Sequence, residues 1–119
     1  MLRYGLLALI VLVPSTLQAA SWQTCRMEIE VLSVDRASDT PVTAKLLSVT
    51  PRPEGAECPA VGSTLSFAPE SADYQSMLPR RSWPKVGEKV RWRYIHLSGI
   101  CKNDGNPAPC VIKHYPRGW

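Results

Sequence analysis

The sequence predicts a mainly β domain: a small five-stranded antiparallel barrel with one short helix and two disulfides. Three observations carry this. Apolar and polar residues alternate with period two in several runs, which marks half-buried strands. All but one of the 11 prolines fall after residue 20, and a proline inside a helix removes a hydrogen bond and clashes with the preceding turn, which argues against a helical bundle. Four cysteines, Cys25, Cys58, Cys101 and Cys110, lie in the same part of this 119-residue chain. A domain of that size buries only about 60–65% of its unfolded surface and gains from covalent staples.

Residues 1–20 read as a secretory signal peptide, which leaves 21–119 as a single domain. The segment opens with Arg3, runs through an apolar stretch from Leu6 to Val13, and ends in Pro14 and small residues up to Ala19 and Ala20. That stretch is far short of the roughly 20 residues that cross a bilayer. The residues before Cys25, Trp22-Gln23-Thr24, are not those of a lipoprotein signal. No second hydrophobic segment, repeat, linker or low-complexity tract follows, so no stable membrane insertion is expected once the signal is removed. The expected location is periplasmic or secreted. The net charge of +4 falls to +3 with the loss of Arg3, too mild to indicate nucleic acid.

The elements follow in order. From Cys25 to Asp35, Met27, Ile29 and Val31 alternate with Glu28 and Glu30, a strand; at Leu32 and Val34 the apolar parity changes, as it does where a bulge bends a strand. Arg36 to Pro41 is a polar turn. Val42 to Thr50 is a second strand that also changes parity midway. Pro51 to Gly62 carries three prolines and two glycines and is a connection. Ser63 to Ala68 is a third, short strand, and Pro69 to Leu78 is expected as a short helix, opened by Pro69 and stopped by Pro79. Lys89 to Leu97 is the longest strand. It places Val90, Trp92, Tyr94 and His96 on one face and Arg91, Arg93, Ile95 and Leu97 on the other. Cys110 to Tyr115 closes the set.

Two long bent strands, a short third, a helical segment and two further strands, with Trp-Pro-Lys-Val-Gly-Glu-Lys-Val-Arg-Trp-Arg at 83–93, resemble the order and strand entry of OB-fold proteins. The resemblance implies a scaffold that hosts unrelated functions and names no activity. An open antiparallel sandwich with similar strand content is the alternative architecture.

Four cysteines allow three connectivities. Cys101 and Cys110 flank a turn-rich stretch, Lys102 to Pro109, able to bring its ends together; that favours their pairing and leaves Cys25 to pair with Cys58. A cysteine–histidine metal site is not expected, because Cys-x8-Cys with the isolated His96 and His114 lacks the close ligand pairs of zinc sites. Without a CxxC there is no thioredoxin-like redox centre. Nucleophile elbow, triad, zincin and phosphate-loop patterns are absent, so no enzyme activity and no cofactor are expected. Glu28 and Glu30 read as the solvated face of a strand, His96 as a buried hydrogen-bonded histidine, and His114 as an exposed strand residue.

The remaining constellation is basic and aromatic: Arg80, Arg81, Trp83, Lys85, Lys89, Arg91, Trp92, Arg93 and Tyr94, with Lys113, Tyr115, Arg117 and Trp119 near the chain end. Guanidinium forks bind carboxylate or phosphate, and aromatic rings stack on sugars or bases. Against this stands a plain structural reading, in which Trp92 and Tyr94 fill the core while Arg91 and Arg93 point into water. The expected binding residues are Arg80, Arg81, Lys85, Lys89, Arg91 and Arg93. The expected function is a small exported, non-catalytic module that holds an anionic glycan, peptide or other exported protein. The alternative is an inhibitor or immunity-type protein acting through the Cys101–Cys110 loop, preorganised by its prolines and bridge.

Overall fold

A computed structural model describes residues 21–103 and 105–119; at 101–103 and 106 the description covers the backbone alone. The expected signal peptide, 1–20, therefore lies outside the described residues. Five strands, β1 (Gln23–Val34), β2 (Val42–Arg52), β3 (Thr64–Phe67), β4 (Lys89–Asn103) and β5 (Asn106–His114), form one antiparallel sheet in the order β3-β2-β1-β4-β5. The sheet curls into a half-barrel, consistent at a coarse level with an OB-like fold. Among the described residues no helix is long and apolar enough to cross a membrane.

Alternation decides which face goes inside. Cys25, Met27, Ile29 and Val31 on β1 and Val42, Ala44 and Leu46 on β2 are buried, while Arg26, Glu28 and Lys45 stay exposed. The parity changes seen in the sequence are bulges. On β1, Leu32 is the extra residue between the pairs Val31–Ala44 and Ser33–Thr43; on β2, Leu47 is the extra residue between Ile29–Leu46 and Glu28–Ser48. An extra residue in one strand bends it and adds twist, which lets the two central strands wrap their apolar face around Phe67 and Trp92. Trp92 is 2% exposed. Its indole Nε1 donates to the Tyr115 carbonyl at 2.7 Å, so the ring enters the core without losing its polar atom's partner.

Cys25 and Cys58 form a disulfide, as the sequence favoured, and it anchors the proline-rich connection to β1. The expected second bridge, Cys101 with Cys110, involves a side chain outside the described residues.

Two expected elements differ. Residues 69–78 form no helix. Asp73 Oδ1 accepts from the Ser71 hydroxyl at 2.7 Å and from the Gln75 amide at 3.2 Å, the local side-chain bonding by which Ser and Asp draw a backbone out of a helix. Bonds from Ser71 N to Ser76 O and from Leu78 N to Pro69 O fold the segment back on itself, and the helical turn that does occur is a single 3-10 turn at Arg80–Ser82. Likewise, Lys102 to Pro109 is not an open loop. β4 and β5 continue through it to the pair Asn103–Asn106, with Gly105 at φ 80° in the turn. Proline is tolerated here because β5 is an edge strand: Pro107 and Pro109 alternate along it, where the missing N–H faces away from the ladder.

The pairing of β1 with β4 ends at Gln23–His96. Beyond it β4 and β5 run on as a two-stranded arm on which Ile100 and Val111 are exposed. At the opposite edges, Glu70 and Pro116 form a short parallel bridge that draws the segment after β3 toward the one after β5.

Truncating Trp92 to alanine should lower the unfolding free energy by about 3–5 kcal/mol, whereas Arg80→Ala should change it by less than about 1 kcal/mol, measured by urea unfolding. Equal effects would show that the core is not organised around Trp92.

Candidate functional site

The segment between the 3-10 turn and β4 is short but firmly held. Trp83 donates its indole N–H to the Leu78 carbonyl at 2.8 Å. The Lys85 amide donates to the Glu88 carboxylate at 2.7 Å, and the Glu88 amide returns to the Lys85 carbonyl at 3.0 Å. Gly87, at φ 87°, lets the turn close, and the Gly87 amide and Glu88 carbonyl bond to Val31. Pro84 is buried beneath the loop. Arg81 and Lys85 are thereby presented outward from a fixed backbone.

They line two adjoining hollows. One, of about 570 Å³, is walled by Arg81, Trp83, Lys85, Glu88, Arg91 and Arg117. The other, of about 410 Å³, shares Arg81, Trp83 and Lys85 and adds Arg36 and Arg80. Among the described residues the ion pair within 4 Å is His114 with Glu70, and none of these six cations takes part in one. The trough is therefore lined mainly by positive charge, with Glu88 as the acidic residue in its lining and, among the described residues, no ion pair within 4 Å to these cations.

The tail after β5 builds one wall. Arg117 bridges to Trp92, the Arg93 amide donates to the Pro116 carbonyl, and the Gly118 amide donates to the Arg91 carbonyl. Trp119 donates its indole N–H to the Met27 carbonyl, and the Arg91 guanidinium lies 4.7 Å from the centre of its ring.

Of the six expected binding residues, four meet here: Arg80, Arg81, Lys85 and Arg91. Lys89 lines neither hollow and stands opposite Glu30 of β1 in the register, as Arg91 stands opposite Glu28. Arg93 does structural work. Its guanidinium donates to the carbonyls of Gly118 and Ala72, tying the tail and the 70–77 segment to β4. Arg117 belonged to the wider basic and aromatic constellation. Arg36 was missed, because it sits alone in the β1–β2 turn and only the fold brings it beside Arg80.

Two further clusters lie elsewhere. His96 is 6% exposed and its Nε2 pairs with the Glu57 carbonyl at 2.9 Å, the buried hydrogen-bonded histidine the sequence indicated. It stacks on Tyr94, Tyr94 on Tyr115 and Tyr115 on Phe67, with centroids 4.7, 5.0 and 5.1 Å apart. Burial, aided by Tyr94, pushes the Tyr115 hydroxyl up to about 12; burial and then Glu57 also raise Tyr94.

The second cluster surrounds His114, which is not simply an exposed strand residue. Its Nδ1 pairs with Glu70 Oε2 at 3.0 Å, and the other carboxylate oxygen of Glu70 accepts the Tyr115 amide. Tyr74 packs 4.8 Å and Trp22 5.9 Å from the imidazole, centre to centre. Residues 22, 70, 74 and 114 share no local pattern that sequence reading could detect.

No known protein family, characterised protein or solved structure matches the chain.

A tyrosine whose folded-state value lies above its unfolded value of about 10 favours the native state below pH 10, an advantage lost as pH rises toward about 12. Urea unfolding should therefore show stability falling across that window, and Tyr115→Phe should flatten the decline. An identical decline in the phenylalanine variant would remove Tyr115 as its source.

Proposed function

We propose that this chain is a small exported, non-catalytic binding module that holds an anionic ligand in the trough beside Trp83. The observation that supports this reading is the convergence of Arg81, Lys85, Arg91 and Arg117, from three separate segments, on one hollow, with no ion pair to any of them among the described residues. Cations gathered around a hollow repel one another, so the arrangement does little for the folded state by itself; an anion would relieve the repulsion. The Cys25–Cys58 bridge fits an oxidising compartment.

Heparin, a sulfated glycan, serves as the probe. Arg81→Glu with Arg91→Glu should weaken binding by at least about tenfold at low salt and flatten its salt dependence, since contact between exposed charges is screened by ions. Lys45→Glu with Arg52→Glu, an equal charge change outside the trough, should leave most of the affinity. Equal losses in both pairs would reduce the effect to net charge and overturn the site.

A second reading rests on the arm. Ile100 is 71% exposed on a hairpin that projects past β1, a shape suited to insertion into the cleft of another exported protein. Two strands alone are marginal in water, so this reading requires the staple between Cys101 and Cys110. Peptide mapping of non-reduced protein from its native compartment should join residues 101 and 110 and find a chain that starts after residue 20. Free thiols at both positions would end this reading.

A further inference from the structure

Resting on the reading of the trough as an anion site, we infer that its ligand is an acidic glycan: a chain of sugar rings, each bearing carboxylate or sulfate, that crosses the loop at Trp83. The two hollows do not lie apart. They meet at Arg81, Trp83, Pro84 and Lys85, with Arg91 and Arg117 at one end and Arg36 and Arg80 at the other. A single small anion would engage one end only. Charges set out along both hollows match a polymer with negative groups at intervals, held by several guanidinium forks at once.

Trp83 discriminates among polymers. Its indole is half-buried, borders both hollows and is fixed through Nε1 to the Leu78 carbonyl at 2.8 Å, so the ring is a ready platform that loses little freedom on binding. A pyranose lays the apolar C–H face of its ring on such an indole while its acidic groups project sideways to arginine and lysine. An acidic peptide offers no ring at regular intervals. A single-stranded nucleic acid gains from successive aromatic platforms, and this trough is bordered by one indole besides the buried Trp92.

The test uses heparin-derived oligosaccharides from disaccharide to octasaccharide on the intact chain, with poly-glutamate and oligothymidylate as comparators. Affinity should rise by at least about tenfold from disaccharide to octasaccharide, as further contacts are added along the trough. Trp83→Leu should reduce octasaccharide affinity by about tenfold with little change in salt dependence, whereas Trp83→Phe should retain most of it; the figure takes the low end of the scale known for bases stacked on aromatic rings. Thermal unfolding of both variants confirms that the loop still folds. If disaccharide and octasaccharide bind alike while Arg81→Glu with Arg91→Glu still abolishes binding, the trough is a single-anion site and only the glycan inference falls. Comparable binding of poly-glutamate or oligothymidylate would likewise overturn the ligand class. If the charge reversals change nothing for any probe, both the glycan inference and the anion site are lost.

Discussion

The sheet has one apolar face and, among the described residues, no helix to lay over it, so it buries that face by curling on itself. Every other feature depends on this constraint. The bulges at Leu32 and Leu47 supply the bend, and Phe67 and Trp92 fill the space the bend encloses, with ring centroids 5.6 Å apart. β3 has only four residues and β5 pairs with β4 alone, so the edges cannot zip along their length. They meet instead beside the Phe67–Tyr115 ring stack, chiefly through Glu70, which bridges to Pro116, takes the Tyr115 amide on its side chain and pairs with His114. The carboxylate thus satisfies backbone and side-chain donors where the sheet would otherwise stay open.

The trough follows from this incomplete closure. β5 pairs with β4 only from Ile95 onward, and the edge nearer the start of β4 is covered by the tail at Arg91 to Arg93. The stretch between that tail and the Trp83 loop is where the larger hollow lies. Its walls come from separated segments, but each is fixed: the loop by Leu78 and Val31, the tail by Arg93 and Met27. Holding the segments that carry these cations in place keeps low the ordering cost that binding would otherwise carry.

Much of the fold was legible because β1 and β2 encode it locally. Their alternation names the inner face, and their parity changes mark the bulges to within a residue. The trough was half legible for the same reason: Arg80, Arg81, Lys85 and Arg91 lie within one short run. What failed involved distant partners or competing local bonds. Parity correctly puts Arg93 beside Arg91 on β4, but nothing in the run shows that the tail returns to accept its guanidinium protons. The segment 69–78 has the proline punctuation of a helix, yet the hydrogen bonds of Asp73 capture its backbone first, with Tyr74 at φ 47°. Pro107 and Pro109 read as loop residues because sequence does not reveal that their strand is an edge.

The distribution of charge separates the two kinds of basic residue. On the outer face, Lys89 stands opposite Glu30 in the register and lines neither hollow, whereas Arg91 stands opposite Glu28 and also borders the trough. Around the trough, Arg36, Arg80, Arg81, Lys85 and Arg117 come from turns and the tail, and only Glu88 opposes them within the lining, with one carboxylate oxygen already engaged by the Lys85 amide. Like charge concentrated there repels itself, and none of these side chains belongs to the core. Because an anion held in the trough would relieve such repulsion, ligand binding and stability would be linked: an anion that binds the folded chain and not the unfolded one must raise stability in proportion to the logarithm of its concentration once the site fills. In this small half-barrel, the same cations proposed to recognise a ligand would therefore also tie its binding to the stability of the fold.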